Sequence, residues 1–250
     1  MEDLKNIMEG ILDPNNKKNV GNSLVYQYYP KSRTELMKII DDETNKNGWE
    51  CDLNHIDVSA ITDFSFLFDN CQLFNGDISK WNMSNARTLR YMFSYSGFKG
   101  DISNWDVSNV TDMGGMFRDC DIECDLSKWN VGKVKLMDQM FSNAHYNGDL
   151  SKWNVKNVKT MTGMFEGSSF NGDISKWNVG KVEDMAYMFY KSDFNGDISD
   201  WDVRKVKDME SMFYSSSFNG DLSKWNVGKN CVTTNMFTYT DIEDNPPKWW

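Results

Sequence analysis

Histidine, proline and cysteine are scarce in this sequence, and acidic residues outnumber basic ones. The 250 residues include 2 His, 4 Pro and 5 Cys, with 27 Lys and Arg against 37 Asp and Glu, for a formal net charge of −10. Nucleic acid and anionic membrane surfaces are poor partners for such a chain, because phosphate binding needs clustered Lys and Arg. We therefore expect neither partner.

Long apolar runs are missing as well. Glu2, Asp3 and Glu9 interrupt the first twelve residues, which therefore lack the basic and apolar segments of a secretory signal. No stretch approaches the roughly 20 apolar residues that cross a bilayer. The sequence thus predicts no membrane insertion and, by default, a cytoplasmic location.

The cysteines do not form the pattern of a disulfide framework. Their number is odd and their spacing irregular, which favours reduced thiols in a reducing compartment. They are Cys51, Cys71, Cys120, Cys124 and Cys231.

Tryptophan, methionine and phenylalanine are abundant because they belong to a repeat. Seven tryptophans recur every 24 residues: Trp81, Trp105, Trp129, Trp153, Trp177, Trp201 and Trp225. Met-Phe pairs from Met92-Phe93 to Met236-Phe237 and aspartates from Asp77 to Asp221 keep the same interval. A degenerate copy begins at Asp52, so we count eight repeats.

Two apolar spacings follow each other within one repeat. Trp105 and Val107 are two residues apart, as in a strand, whereas Val110, Met113 and Met116 are three apart, as on a helix. Each repeat therefore predicts a short strand followed by a turn or two of helix. Such a unit cannot bury both of its faces alone, so the copies are expected to stack with Trp, Val, Met and Phe columns in the core.

The repeat resembles a known family. The apolar spacing resembles a leucine-rich repeat, and the phrase WDVSNVTDM followed by MF and FNGDIS resembles the BspA-like repeats of bacterial surface proteins and mycoplasma lipoproteins. The resemblance covers residues 52 to about 243. It implies an α/β fold, a right-handed leucine-rich-repeat-like solenoid of about eight strand-helix rungs, used for adhesion or other protein binding. It also implies the cell surface or a virion as alternative locations.

The ends of such an array need caps. We expect residues 1–50 to form a short α/β N-terminal cap, residues 51–243 the repeats and residues 244–250 a C-terminal tail. The predicted cap has a helix carrying Leu4, Ile7, Met8 and Ile11, a strand over 24–29, and a second helix that starts at a Ser32–Glu35 capping box and carries Leu36, Ile39 and Ile40.

The repeat pattern gives little support for a catalytic site. A nucleophile needs an adjacent base, and the two histidines, His55 and His145, occupy repeat positions whose other members look solvent-exposed. We therefore expect no catalytic site and no cofactor.

A metal site is not expected either. Cys120 shares its position with serines and alanine, so that position favours a small residue, and Cys124 has no nearby partner set for zinc. The aspartate column could cap its own turns or hold cations between repeats, and we expect turn capping, since one carboxylate per repeat supplies few ligands.

The largest chemically regular surface is predicted on the outward side of the strands. We call it the Lys/Asn surface, and it comprises Lys128, Asn130, Lys152, Asn154, Lys176 and Asn178. The alternative is a merely solubilising face with Asn ladders between repeats.

The predicted function is a non-enzymatic scaffold that binds a protein. The alternatives are a structural or virion-associated phage or viral component docked through its N-terminal segment, and, less favoured, an enzyme or metal-dependent sugar binder.

Overall fold

The computed structural model describes residues 25–250, and within them one helix, α1, spans Arg33–Asn47. The Ser32 hydroxyl accepts the Glu35 N–H, as the capping box predicts, and the Glu35 carboxylate accepts the Lys31 N–H at 2.7 Å. The predicted buried residues of this helix, Leu36, Ile39 and Ile40, are buried. The second cap helix is thus confirmed, whereas the one predicted from Leu4 to Ile11 lies outside the described residues.

The predicted strand-helix repeat is wrong. Trp105 and Val107 lie in successive turns, in which the Trp105 N–H donates to the Ile102 carbonyl at 3.1 Å and the Val110 N–H to the Val107 carbonyl at 2.9 Å. Apart from α1, residues 25–250 contain turns, coil and isolated bridges, with no continuous strand. The right-handed, leucine-rich-repeat-like α/β solenoid is therefore not the fold of this chain.

The β-bridges between repeats in residues 25–250 are isolated and parallel. Tyr28 pairs with Ile56, which is all that the described residues retain of the strand predicted over 24–29. The other bridges join one repeat to the next: Asp52 to Asp77, Asp63 to Thr88, Thr88 to Asp112, Asp112 to Leu136, Leu136 to Thr160, Thr160 to Asp184, Asp184 to Asp208 and Asp208 to Val232.

The segment predicted as helix owes its shape to two alternating kinds of hydrogen bond. The N–H groups of Met113, Gly115 and Phe117 donate to carbonyls of the next repeat at 2.7 to 3.0 Å, whereas the Met116 N–H donates to Met113 within its own repeat at 3.2 Å. A helix would direct all of these bonds four residues back along its own chain. Gly115 and Asp119 have positive φ, which breaks helical continuity.

Equivalent segments lie side by side through the stack. We call them the bridge segments, and their outer surface the bridge face. They span residues 63–70, 88–95, 112–119, 136–143, 160–167, 184–191, 208–215 and 232–239.

The aromatic columns form the core, as predicted. The seven repeated tryptophans are each 3–4% exposed, and the Met-Phe pairs are buried. Phenylalanine rings of successive repeats, from Phe68 to Phe237, stack with centroids 5.6 to 6.0 Å apart. Trp249 extends the tryptophan column, since its ring lies 6.2 Å from that of Trp225 and its Nε1 donates to the Leu222 carbonyl at 2.7 Å.

Polar side chains join the turns of adjacent repeats. The Asn147 Oδ1 accepts the Asn171 N–H at 2.9 Å, and the same bond recurs from Asn195 to Asn171 and from Asn219 to Asn195. This asparagine ladder belongs to the FNGD motif and not to the Lys/Asn surface. The ladder gives hydrogen-bond acceptors to backbone N–H groups that are not paired in a strand.

Candidate binding surfaces

All six residues of the Lys/Asn surface are exposed, but they lie in turns and not on strands. The side-chain oxygens of Asn130 and Asn178 accept the N–H groups of Gly132 and Gly180, each at 3.2 Å. The Asn154 oxygen accepts the Lys156 N–H at 3.5 Å. The asparagines therefore cap their own turns. Their side-chain oxygens are already engaged and are less available to accept a hydrogen bond from a partner.

Charge on the Lys/Asn surface is balanced locally. The aspartate three residues before each lysine interacts with it electrostatically: Asp125 with Lys128, Asp149 with Lys152 and Asp173 with Lys176. Hydrogen bonds from the serine two residues after each aspartate, and then the lysine, lower the pKa of these carboxyls. Paired columns of opposite charge leave little net field for a charged partner.

The aspartate column caps turns, as predicted. From Asp77 to Asp221, one carboxylate per repeat accepts the N–H of the serine two residues later at 2.8 to 2.9 Å, and Asp52 does the same with Asn54. Among residues 25–250, no three His, Cys, Asp or Glu side chains are grouped to hold a metal ion.

The two histidines have different surroundings. His145 is exposed and its Nδ1 lies 2.8 Å from the Asp121 carboxylate. His55 is half-buried, with its ring 5.5 Å from that of Tyr28 and its Nε2 3.4 Å from the buried Glu43. The expectation of a solvent-exposed position was wrong for His55, because Tyr28 and the α1 residue Glu43 pack against it.

All five cysteines are free thiols, as predicted. Burial raises the pKa of Cys120 to about 12 and that of Cys231 to about 11. A reactive cysteine instead needs a lowered pKa and an exposed sulfur. Cys120 thus occupies its small position in the core without nucleophilic character.

An aromatic and cationic group lies on the bridge face of the first three repeats. We call it the aromatic patch, and it consists of Phe66, Arg90, Tyr91, Tyr95 and Arg118. The rings of Phe66 and Tyr91 stack at 5.1 Å, and the guanidinium groups of Arg90 and Arg118 lie 4.9 and 5.6 Å from the Tyr91 and Tyr95 ring centroids. Phe66 is 45% exposed and Tyr95 39%.

Two glycines make room for this patch. A side chain at Gly115 would collide with the Tyr91 ring, 2.0 Å from the position of its Cβ, and one at Gly114 would meet Arg90 at 2.6 Å. Tyr91 therefore reaches over the next repeat, and its hydroxyl donates to Gln139 two repeats on at 3.0 Å. The patch is held in place by packing as well as by a hydrogen bond.

A second aromatic group lies on the bridge face of the last three repeats. The rings of Tyr187 and Tyr190 are 5.8 Å apart, those of Tyr190 and Tyr214 5.1 Å, and those of Tyr214 and Tyr239 5.2 Å. The Lys191 ammonium lies 5.2 Å from the Tyr190 ring centroid. We call this group the tyrosine cluster.

Sequence reasoning missed both groups. The residues at these positions differ from repeat to repeat, so a single aromatic residue there does not stand out. A usable signal was present, since Phe66 and Tyr91 occupy equivalent positions of successive repeats outside the core columns. Arg90 lies next to Tyr91, and both arginine and tyrosine are enriched in protein interfaces.

These features define the class as a repeat protein with a stacked aromatic core and side chains displayed along its faces. The chain belongs to the family described as Mycoplasma protein of unknown function, DUF285, whose model matches residues 34–148 and again residues 143–250. This family agrees with the predicted resemblance to mycoplasma repeat proteins. Neither the curated proteins nor the solved structures include a significant match. Residues 25–250 contain no helix that is long and apolar enough to span a membrane.

Proposed function

We propose that this chain is a non-enzymatic scaffold that binds a protein through its bridge face. The observation that carries the proposal is the aromatic patch. Tyr, Trp and Arg dominate the residues that contribute most to protein association, and Phe66, Tyr91 and Tyr95 combine large apolar area with stacked arginines. Exposing apolar rings to water costs free energy in the free protein. A partner that covers the rings removes this cost.

Rigidity of the bridge face supports the same proposal. The N–H groups of Leu89, Tyr91, Phe93 and Tyr95 each donate to a carbonyl of the next repeat at 2.8 to 3.0 Å. A surface held this way loses little conformational entropy when a partner binds. The Lys/Asn surface is less favourable, because its asparagines cap turns and its lysines face aspartates of their own repeats.

The BspA-like resemblance is the basis for the adhesion form of this proposal. Bacterial surface proteins with such repeats bind other proteins, whereas the matched family is described as having an unknown function. The structural or virion-associated alternative depends on the N-terminal segment, most of which lies outside the described residues. We prefer the binding scaffold to this alternative because the aromatic patch lies within residues 25–250.

Site-directed photocrosslinking tests the proposal. A photoreactive residue is placed at Tyr95, at Lys152 or, as a control on another exposed turn, at Asn219, and each variant is irradiated in an extract of the source cells. We expect one discrete protein adduct from position 95 that Tyr91→Ser abolishes. An adduct from position 152 alone, lost when Lys128→Glu and Lys176→Glu are added to that photoreactive variant, would place binding on the Lys/Asn surface. Identical adducts from all three positions would contradict a specific site.

A further inference from the structure

A strongly basic surface runs along the last five repeats of this acidic chain. We call it the basic strip, and we propose that it binds a linear anionic polysaccharide, independently of the protein-binding face. Its nine exposed cationic residues lie in the turn before each bridge or in the short stretch between that turn and the bridge. They are Lys133, Lys135, Lys156, Lys159, Lys181, Arg204, Lys205, Lys207 and Lys229.

Two shallow concavities follow each other along the strip. The first, about 510 Å³, is lined by Thr111, Asn157 and the lysines at 133, 135, 159 and 181. The second, about 470 Å³, is lined mainly by residues 204–207 and 228–231. Glu183 joins them, because its two carboxylate oxygens contact Lys159 at 3.5 Å and Lys207 at 2.6 Å. The strip is therefore continuous over five repeats.

Positive charge on the strip is only partly compensated. Three of its nine cations form ion pairs, and Asp106 and Asp202 also interact electrostatically with Lys133 and Lys205. Its carboxylate contacts are Glu183 and Asp202, the latter paired with Arg204 at 2.7 Å. Within residues 25–250, no carboxylate lies within 4.0 Å of the ammonium groups of Lys135, Lys156, Lys205 and Lys229. Cations gathered in this way repel one another, and an anionic ligand removes the repulsion.

Neutral hydrogen-bonding groups hold some of the lysines in place. The ammonium groups of Lys133 and Lys181 donate to the side-chain oxygens of Asn109 and Asn157 in the preceding repeats, at 2.5 and 2.9 Å. These bonds orient the ammonium groups without neutralising them. Asn157 and Thr111 lie between the charges, where they donate to the carbonyls of Gly132 and Arg87 at 2.8 and 3.2 Å. The second amide N–H of Asn157 and the lone pairs of the Thr111 hydroxyl still suit the hydroxyl groups of a sugar.

The spacing and composition of the strip favour a polysaccharide over other polyanions. Equivalent positions of successive bridged repeats lie about 4.8 Å apart, but Asn157 separates Lys133 from Lys181 and Glu183 separates Lys159 from Lys207. Cations therefore alternate with uncharged and acidic groups, as acidic groups alternate with hydroxyl groups along an anionic polysaccharide. Single-stranded nucleic acid binding uses aromatic side chains for base stacking, and no aromatic residue lines either concavity. An anionic membrane is distinguished from a free polysaccharide by the test.

The test compares two variants that lose equal charge. One carries Lys135→Gln, Lys205→Gln and Lys229→Gln on the basic strip, and the other Lys128→Gln, Lys152→Gln and Lys176→Gln on the Lys/Asn surface. Binding of the full chain to heparin is measured by calorimetry at about 0.15 M salt, with neutral dextran as the uncharged probe. We expect heparin binding without dextran binding. The strip variant should bind heparin about tenfold more weakly, and the Lys/Asn variant should bind like the parent.

Several outcomes would overturn this inference. Absence of heparin binding would do so, as would equal weakening in both variants, which would mean that total charge and not the strip decides. Tighter binding to oligo-dT, poly-glutamate or phosphatidylserine vesicles would assign the strip to another class of anion. Tyr91→Ser leaves the strip intact, so heparin binding should survive it, and the failure of either proposal can be told from that of the other.

Discussion

The indole Nε1 of Trp153 donates a hydrogen bond to the carbonyl oxygen of Leu126 at 3.0 Å, 27 residues earlier in the chain. Every repeated tryptophan makes the equivalent bond to the preceding repeat. A buried indole N–H without an acceptor costs free energy, so the bond favours one register between repeats. The tryptophan column therefore both fills the core and aligns the stack.

Removing one central indole should destabilise the whole array. For Trp153→Ala we expect a loss of about 3 to 5 kcal/mol in the free energy of unfolding, as for other buried aromatic residues. Trp153→Phe keeps most of the volume and removes only the indole hydrogen bond, because the Leu126 carbonyl still accepts the Trp129 N–H at 3.1 Å. We expect this variant to lose about 0.5 to 1.5 kcal/mol. Urea denaturation measures both. Tyr239→Ala, at a side chain that is 69% exposed, is the control and should leave stability nearly unchanged. Parental stability in Trp153→Ala would place the column outside the core.

Tyr146 offers a stabilising substitution. The equivalent position in later repeats is occupied by Phe170, Phe194 and Phe218. The buried Tyr146 hydroxyl has no hydrogen-bond partner, although the Leu126 backbone lies nearby. Burial raises the pKa of this phenol to about 12. Because an unpaired buried polar group costs about 1 to 3 kcal/mol, Tyr146→Phe should raise the melting temperature.

The reverse change provides the matched control for Tyr146. Phe170→Tyr places a hydroxyl at the equivalent position of the next repeat, and it should lower the melting temperature in a thermal scan. A fall in both variants would show that the Tyr146 hydroxyl is satisfied in solution.

Sequence spacing predicted which residues are buried more accurately than it predicted the backbone. The interval of three from Val110 to Met113 and Met116 does place these side chains inside, but turns with bonds three residues back produce the same spacing as a helix. Likewise, Trp105 and Val107 point inward from successive turns. Apolar periodicity reports side-chain direction, and it does not specify which N–H pairs with which carbonyl.

Local polar signals were predicted well where a residue bonds to its own neighbours. The Ser32 cap of α1 and the aspartate turns need only two to four residues of sequence, so they could be recognised directly. The aromatic patch could not, because Tyr91 reaches Gln139 across two repeats and depends on Gly115 for space. Such contacts appear only when the stacking register is known.

Cys120 should be the least reactive of the five thiols. Its pKa of about 12, against an ordinary value of 9.0, leaves roughly a thousandfold less thiolate, and the sulfur is buried. Iodoacetamide labelling of the folded protein, followed by mass spectrometry, should therefore leave Cys120 unmodified while it is modified in urea. Cys120→Ser should fold normally, because Ser168 occupies the same position and donates to the Ala144 carbonyl. Rapid native labelling of Cys120 would show that this part of the core opens.

The aspartate turns make a pH-dependent contribution to stability. Hydrogen bonds from the Ser151 side chain and backbone, and then Lys152, lower the pKa of Asp149 below its ordinary value of 3.8. A carboxyl whose pKa is lowered by folding stabilises the protein above its unfolded pKa, and this contribution disappears as the pH falls through the folded value. Asp149→Ala should therefore lower the melting temperature at neutral pH, and the difference from the parent should shrink in acid below that ordinary value.

Asp149→Asn separates turn capping from charge. Its amide oxygen can still accept the Ser151 N–H, as Asn130 and Asn178 do in their own turns, so we expect it to retain most of the stability that Asp149→Ala loses. The melting temperature of the parent should also be unchanged in excess EDTA, because the carboxylate bonds to its turn. A large drop in EDTA that calcium reverses would mean that cations, and not backbone N–H groups, hold the aspartate column together.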